Sequence, residues 1–210
     1  MLHPATELKK INDAIGYGVF ATQPIPLGTI TWALDPFDQI LAPLVPKQLE
    51  DQYDGNLTRY SWVNANGNRI LCWDFGRFMN HSCEAKTFGP GGCHFEIAVR
   101  DIAAGEELTS DYAALNLEQP LTCQCGSSQC RGVIKPDDLE EIATTSDFLI
   151  RTAFIRVHEV KQPLWRWVET QKKEIERMVH CPDSIPSIVR HRWPPAPPTS
   201  ASQSMDDKNG

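Results

Sequence analysis

Arg77-Phe78-Met79-Asn80-His81-Ser82-Cys83 is the stretch on whose reading the fold turns. On their own, Asn80 and His81 read as a buried polar pair, and Cys83 as one of seven cysteines. Working outward, the chain is made of short strand-like runs separated by turns. Upstream, residues 18–23 set Val19 and Ala21 opposite Phe20. Pro24-Ile25-Pro26-Leu27-Gly28 then turns the chain into residues 29–34, rich in β-branched and aromatic side chains as strands are. Residues 35–46 read as a proline-bearing loop and 47–53 as a short helix. The runs 59–63 and 69–73 read as strands joined by the turn Asn64-Ala65-Asn66-Gly67-Asn68. Downstream, Gly89-Pro90-Gly91-Gly92 opens a strand in which Phe95, Ile97 and Val99 alternate with Glu96, Ala98 and Arg100. Gly105 turns the chain into the run 107–112.

Further on, Cys123-Gln124-Cys125-Gly126-Ser127-Ser128-Gln129-Cys130 crowds three thiols into one turn. Structural zinc takes four ligands in a tetrahedron and favours thiolate, so three thiols ask for a distant fourth. Cys72, Cys83, Cys93, Cys181 and several histidines are the candidates. No export signal precedes the cluster, which makes disulfides a poor account of it and metal a better one.

Beyond Pro136 the pattern becomes helical. Residues 137–144 carry acidic side chains in a first turn, Ser146 is placed to cap a second helix running to about 160, and Pro163 opens a third. In that third helix Leu164, Trp167, Val168, Ile175, Met178 and Val179 form one apolar stripe, with Glu169–Lys173 and Lys172–Glu176 as surface pairs. From Trp193 to the last residue the chain is Pro, Ser, Ala and Asp, the composition of a disordered tail.

The 210 residues suit one compact domain with an appendage. The net charge of −7 gives no electrostatic footprint for a phosphate backbone, so direct nucleic-acid binding is not expected. The same charge favours a basic, lysine-rich partner. No apolar run is long enough to cross a membrane, and the expectation is a soluble protein of the cytoplasm, or of the nucleus in a eukaryote.

Four stretches together resemble a known family. Arg77–Cys83 resembles the Arg-Phe-x-Asn-His-Ser-Cys signature of SET-domain protein-lysine methyltransferases, and Gly105-Glu106-Glu107-Leu108-Thr109-Ser110-Asp111-Tyr112 resembles their second signature, Gly-Glu-Glu-Leu-x-x-Asp-Tyr. Gly16-Tyr17-Gly18 is similar to the opening Gly-x-Gly element, and Cys123-x-Cys125-x-x-x-x-Cys130 to the post-SET zinc segment of one branch. The resemblance implies a mainly β fold with α, in which small sheets surround a knot-like crossing of the two signatures. It divides the chain into a SET domain at 1–119, a post-SET segment at 120–135, a helical extension at 136–192 and a tail at 193–210.

The resemblance also implies a function: methyl transfer from S-adenosylmethionine to a lysine amine of a protein or peptide. It assigns Gly16, Tyr17, Gly18, Asn80 and His81 to the cofactor, Tyr112 to the target amine, and Cys83, Cys123, Cys125 and Cys130 to one zinc ion. Tyr60 is the candidate second tyrosine at the amine, and Arg77 a structural hydrogen-bonding residue. Ser110 stands where many relatives carry Phe or Tyr, which leaves that channel wall open and points to di- or trimethylation. Two rival readings exist: a SET-like binding module without catalysis, and a zinc-stabilised interaction module.

Overall fold

A computed structural model of the chain describes residues 1–42, 51–53 and 55–194. The strands are β1 (Thr6–Asn12), β2 (Gly16–Ala21), β3 (Ile30–Ala33), β4 (Gln39–Leu41), β5 (Ser61–Val63), β6 (Arg69–Leu71), β7 (Asn80–His81), β8 (Thr87–Phe88), β9 (Phe95–Ala98), β10 (Glu107–Ser110), β11 (Leu121–Thr122) and β12 (Val133–Ile134). The α-helices are α1 (Asn56–Tyr60), α2 (Leu139–Phe154) and α3 (Lys172–His180). Four small sheets result, in the orders β1-β2-β10-β7, β3-β9-β8, β4-β6-β5 and β11-β12. This is the mainly β arrangement with a helical C-terminal region that the signatures implied.

The first sheet brings the signatures together. β10 pairs with β2 on one side and runs parallel to β7 on the other, with Thr109 opposite Asn80 and Ser110 opposite His81. Beyond the strands, Ser82 N–H donates to the Ser110 carbonyl at 3.1 Å. Strand β1 has no apolar alternation, and the sequence reading passed over it. It is a sheet edge, where charged side chains such as Glu7, Lys9 and Lys10 face water and discourage pairing with other chains. β4 lies inside the expected 35–46 loop, because β6 supplies the partner that local sequence does not reveal. The helix expected at 47–53 falls largely outside the described residues.

The helical region is built into the same core as the sheets. Ile30, Phe88, Phe95 and Ile97 share one cluster with Leu139, Ile150, Phe154, Val157, Ile175 and Met178. The Phe95 and Phe154 rings lie 6.3 Å apart. Gln162 fastens the junction: its Nε2 donates to the Gly28 carbonyl, and its Oε1 accepts from Ile30 N–H, both at 2.8 Å.

The expected break at Ser146 does not exist. Leu139, Ala143, Ser146, Ile150 and Ala153 are all buried at spacings of four and three, so one continuous face carries Ser146 through the middle of α2. The expected helix from Pro163 is instead two 3₁₀ turns, Trp165–Trp167 and Glu169–Gln171, followed by α3. Tertiary contacts override propensity here: Gln171 Oε1 accepts from His94 N–H at 3.2 Å. Leu164, Val168, Ile175 and Met178 are nevertheless buried. The surface pairs differ too, since Glu169 meets Lys172 at 3.7 Å, and Glu176 meets His158 at 2.9 Å. Of the expected tail, residues 195–210 lie outside the described residues. Trp193 is held by its N–H on Asn116 Oδ1 at 2.8 Å and by Gly67, where a Cβ would come within 2.5 Å of the indole.

Two phenylalanines of α2 test this shared core. Phe154→Ala is expected to destabilise the protein by about 3–5 kcal/mol, the usual cost of emptying a buried aromatic site. Phe148, 65% exposed, should tolerate alanine within about 0.5 kcal/mol. Urea unfolding of both variants measures the difference.

Candidate active site and cysteine centre

The β7–β10 junction holds its polar side chains in a closed network. Asn80 Nδ2 donates to the Tyr17 carbonyl at 2.9 Å and to Glu107 Oε1 at 2.7 Å. Gly18 makes this possible, because a Cβ there would meet Glu107 Oε1 at 2.3 Å and Asn80 Nδ2 at 3.0 Å. Gly16 has φ +90°, a backbone angle that side-chain-bearing residues rarely adopt.

His81 Nδ1 accepts the Tyr112 N–H at 3.2 Å, while Nε2 stands 3.3 Å from Cys83 Sγ. Burial lowers the imidazole pKa to about 4 against the pull of Asp111, so the ring is neutral near pH 7. With Nδ1 accepting, the network assigns the proton to Nε2, which donates toward the Cys83 sulfur. Asp111 takes its cation from Arg131 instead, at 2.6 Å. Both ring nitrogens of His81 are therefore engaged. A cofactor would have to meet this stretch through Asn80 and through main chain, which β7, as the edge strand, presents on the side away from β10.

Tyr112 stands where the junction meets a cavity of about 180 Å³. Its hydroxyl donates to the Met79 carbonyl at 2.8 Å, and burial raises its pKa to about 12, so the phenol stays neutral. Tyr60 and Ser110 line the same cavity, together with apolar walls from Trp32, Trp62 and Phe95. Gly16, Tyr17, Gly18, Asn80 and His81 do not line it. The sequence-derived residues thus fall into two groups, one along β2 and β7 and one around the cavity, with Met79 and Tyr112 between. Phe78 links Tyr17 and Tyr60 by edge contacts at 6.1 and 5.4 Å. Arg77 donates to the Trp73 carbonyl at 2.8 Å, a structural bond of the kind expected for it.

Behind Ser110 lies a residue that sequence reasoning missed. Ser110 Oγ donates to the Glu96 carboxylate at 2.8 and 3.0 Å and lies 3.1 Å from Thr87 Oγ1, which also bonds Glu96. In the alternation of β9, Glu96 stands between Phe95 and Ile97 and in sequence reads as solvent-facing; in the structure it borders the cavity, as Phe95 does.

Three of the four expected thiols come together, with His81 beside them. Ligand atoms of His81, Cys83, Cys123 and Cys125 all lie within 4.8 Å of one another. Cys130 is exposed, and its Sγ accepts the Gly132 N–H at 3.4 Å. Pairing of β11 with β12 closes the loop that carries them, and Cys123 N–H donates to the Gly132 carbonyl at 2.8 Å. Arg131 N–H reaches Cys83 Sγ at 3.3 Å, which docks the loop on the Asn-His-Ser-Cys stretch. Burial alone would push Cys125 up, yet hydrogen bonds from backbone and neighbouring thiols outweigh it and leave the thiol at about 7. Three thiols and an imidazole this close offer the donor types of structural zinc, and Cys130, on the same loop, is the expected thiol that stands outside the group. His81 is within range, but its Nε2 proton is directed at Cys83, which suits it to support a ligand rather than to be one.

Residues 16–113 match the family model described as SET domain. The chain is similar to the histone-lysine N-methyltransferase ATX2 of Arabidopsis thaliana, 28% identical over 137 residues that make up 60% of this chain and 13% of that protein. It is 33% identical to the histone-lysine N-methyltransferase ASHH2 of Arabidopsis thaliana, covering 44% of this chain and 6% of that one. It is 27% identical to human histone-lysine N-methyltransferase SETD1B, covering 56% of this chain and 6% of that protein. The chain therefore spans only a small part of the length of these relatives. Among solved structures, KRYPTONITE in complex with mCHH DNA, H3(1-15) peptide and SAH aligns with a TM-score of 0.45 and 21% identity, covering 63% of this chain and 30% of that one.

Proposed function

We propose, from the match of residues 16–113 to the SET-domain family model, a protein-lysine methyltransferase that takes its methyl group from S-adenosylmethionine. The observation that carries this reading is the meeting of Tyr112 with the Asn80–His81 strand at the head of an apolar cavity. When bound, S-adenosylmethionine supplies a sulfonium methyl for in-line displacement. Gly16, Tyr17, Gly18, Asn80 and the main chain at His81 would hold it on the β2–β7 side. The cavity would receive the lysine, its tryptophan and phenylalanine walls removing the water that stabilises an ammonium and so lowering the amine pKa. Tyr112, whose O–H is committed to Met79, keeps oxygen lone pairs free to accept an N–H and aim the nitrogen. Zinc on Cys83, Cys123, Cys125 and Cys130 would tie the 120–135 loop to this junction.

The relatives' names speak of histone lysines. The net charge of −7 suits a basic tail of that kind, and a nuclear site of action goes with it. The described helices include none long and apolar enough to cross a membrane. A binding module without catalysis is disfavoured by the intact set of Asn80, His81 and Tyr112.

Isothermal calorimetry with S-adenosylmethionine tests the reading. The wild type should bind it, and Gly18→Ala should weaken binding at least about tenfold, because the new Cβ displaces Asn80 and Glu107. A chain that retains no cofactor would be an interaction module instead.

A further inference from the structure

Among the described residues, one carboxyl of the cavity beside Tyr112 has no cation. Three acids line it, Glu96, Asp111 and Glu118. Asp111 is paired with Arg131 and Glu118 with Arg69. Among the described residues, the Glu96 carboxylate is met by the hydroxyls of Thr87 and Ser110. Glu96 is half-buried and lines the cavity. A carboxyl buried without a countercharge is costly to the fold and marks a place where a charged ligand is expected.

The other charged and titratable groups of the cavity wall are spoken for. Arg59 lies over the Tyr60 ring, and Arg77 is bonded to Trp73. The Cys72 and Cys93 thiols and the Tyr112 phenol are all pushed up to about 12 by burial and stay neutral. His191, bonded to the Gly89 carbonyl, is held neutral by burial. From the neighbouring strands, the Thr87 hydroxyl of β8 donates to the Glu96 carboxylate and the Thr31 hydroxyl of β3 to the Glu96 main-chain carbonyl, and α2 packs behind Phe95. Burial raises the Glu96 carboxyl above its ordinary value.

We propose that Glu96 is the group that receives the target ammonium in this cavity and takes its proton before methyl transfer, with Ser110 and Thr87 positioning its carboxylate. The inference rests on the methyltransferase reading above. In this step the N–H bond breaks, its electron pair stays on the lysine nitrogen, and the proton forms an O–H bond on the Glu96 carboxylate. The nitrogen pair then forms the N–C bond as the C–S bond breaks, its electrons passing to sulfur. Glu96 returns its proton to water through the cavity mouth before the next turnover. The wall that Ser110 was expected to leave open is thus filled by a carboxyl, and the site recognises a cation where a ring would only limit bulk.

Glu96→Gln keeps the shape and the hydroxyl contacts but cannot ionise. In the absence of cofactor, calorimetry with n-butylammonium should show wild-type affinity rising with pH as Glu96 ionises, and binding by the variant at least about tenfold weaker and flat with pH. Turnover of a lysine peptide by the variant should fall about 10²-fold near pH 7 and recover at alkaline pH, where solvent takes the proton. Should Glu96→Gln fail to fold, Ser110→Ala serves. It removes a donor to the carboxylate and should shift the acidic limb of both profiles upward. Equal affinity and an unchanged pH profile in the variants would overturn the proposal. Wild-type turnover with an unaffected Glu96→Gln removes the role of Glu96 alone. n-Butylammonium bound at Glu96 with no methyl ever transferred to a lysine peptide would instead remove the methyltransferase reading.

Discussion

Tyr112→Phe is expected to lower turnover by roughly 10²-fold or more, in line with the loss of one positioned polar group at a reacting centre. The hydroxyl is the part that matters, since the ring is buried beside His81 at a centroid distance of 5.5 Å and phenylalanine keeps it. The half-buried Met79 carbonyl loses its donor in the variant, which should cost about 1 kcal/mol of stability. That loss is modest beside the kinetic one and is measured separately by thermal unfolding. Cofactor affinity should barely change, because Gly16–Gly18 and Asn80 are untouched. A variant that is slightly less stable, binds S-adenosylmethionine normally and turns over slowly matches a tyrosine that aims the amine. A variant with wild-type turnover assigns that task elsewhere.

Removal of the metal should have the second large effect. Elemental analysis is expected to find about one zinc per chain, as one tetrahedral site requires. Cys125→Ser should release it, while Cys72→Ser and Cys181→Ser should retain it, because neither thiol belongs to the cluster. Structural zinc in small sites contributes on the order of 10–16 kcal/mol of apparent binding free energy. The 120–135 loop has little else to order it, with a two-residue strand pair and several exposed side chains. Its undocking would strip Arg131 from Asp111 and from Cys83. The sheets and α2 should survive, because their core is independent of the loop. Cofactor binding should be lost with far-ultraviolet circular dichroism nearly intact. A metal-free protein with full activity would remove the zinc from the account.

The legible parts of this chain were those where chemistry is concentrated. The thiol spacing of Cys123, Cys125 and Cys130 announced a cluster, and the partnership with Cys83, forty residues away, came through resemblance and not through spacing. Strands bounded by strong turns, such as β5 and β6 around Gly67, were readable locally. β1 and β4 were not, because one is a charged edge and the other is a strand only by virtue of its partner. Ser146 looked like a cap because serine usually is one, whereas its place on a buried heptad face was visible only against Leu139, Ala143 and Ile150. Glu96 was hidden for a similar reason. Alternation tells which face of a strand a residue takes, but not that the residue borders a cavity.

The most direct measurement supplies methyl-labelled S-adenosylmethionine and a lysine-rich basic protein to the wild-type chain and locates the label by mass spectrometry. The account predicts label on lysine Nε, strongly reduced with Tyr112→Phe. Label that never leaves the cofactor, or that appears on residues other than lysine, would contradict it.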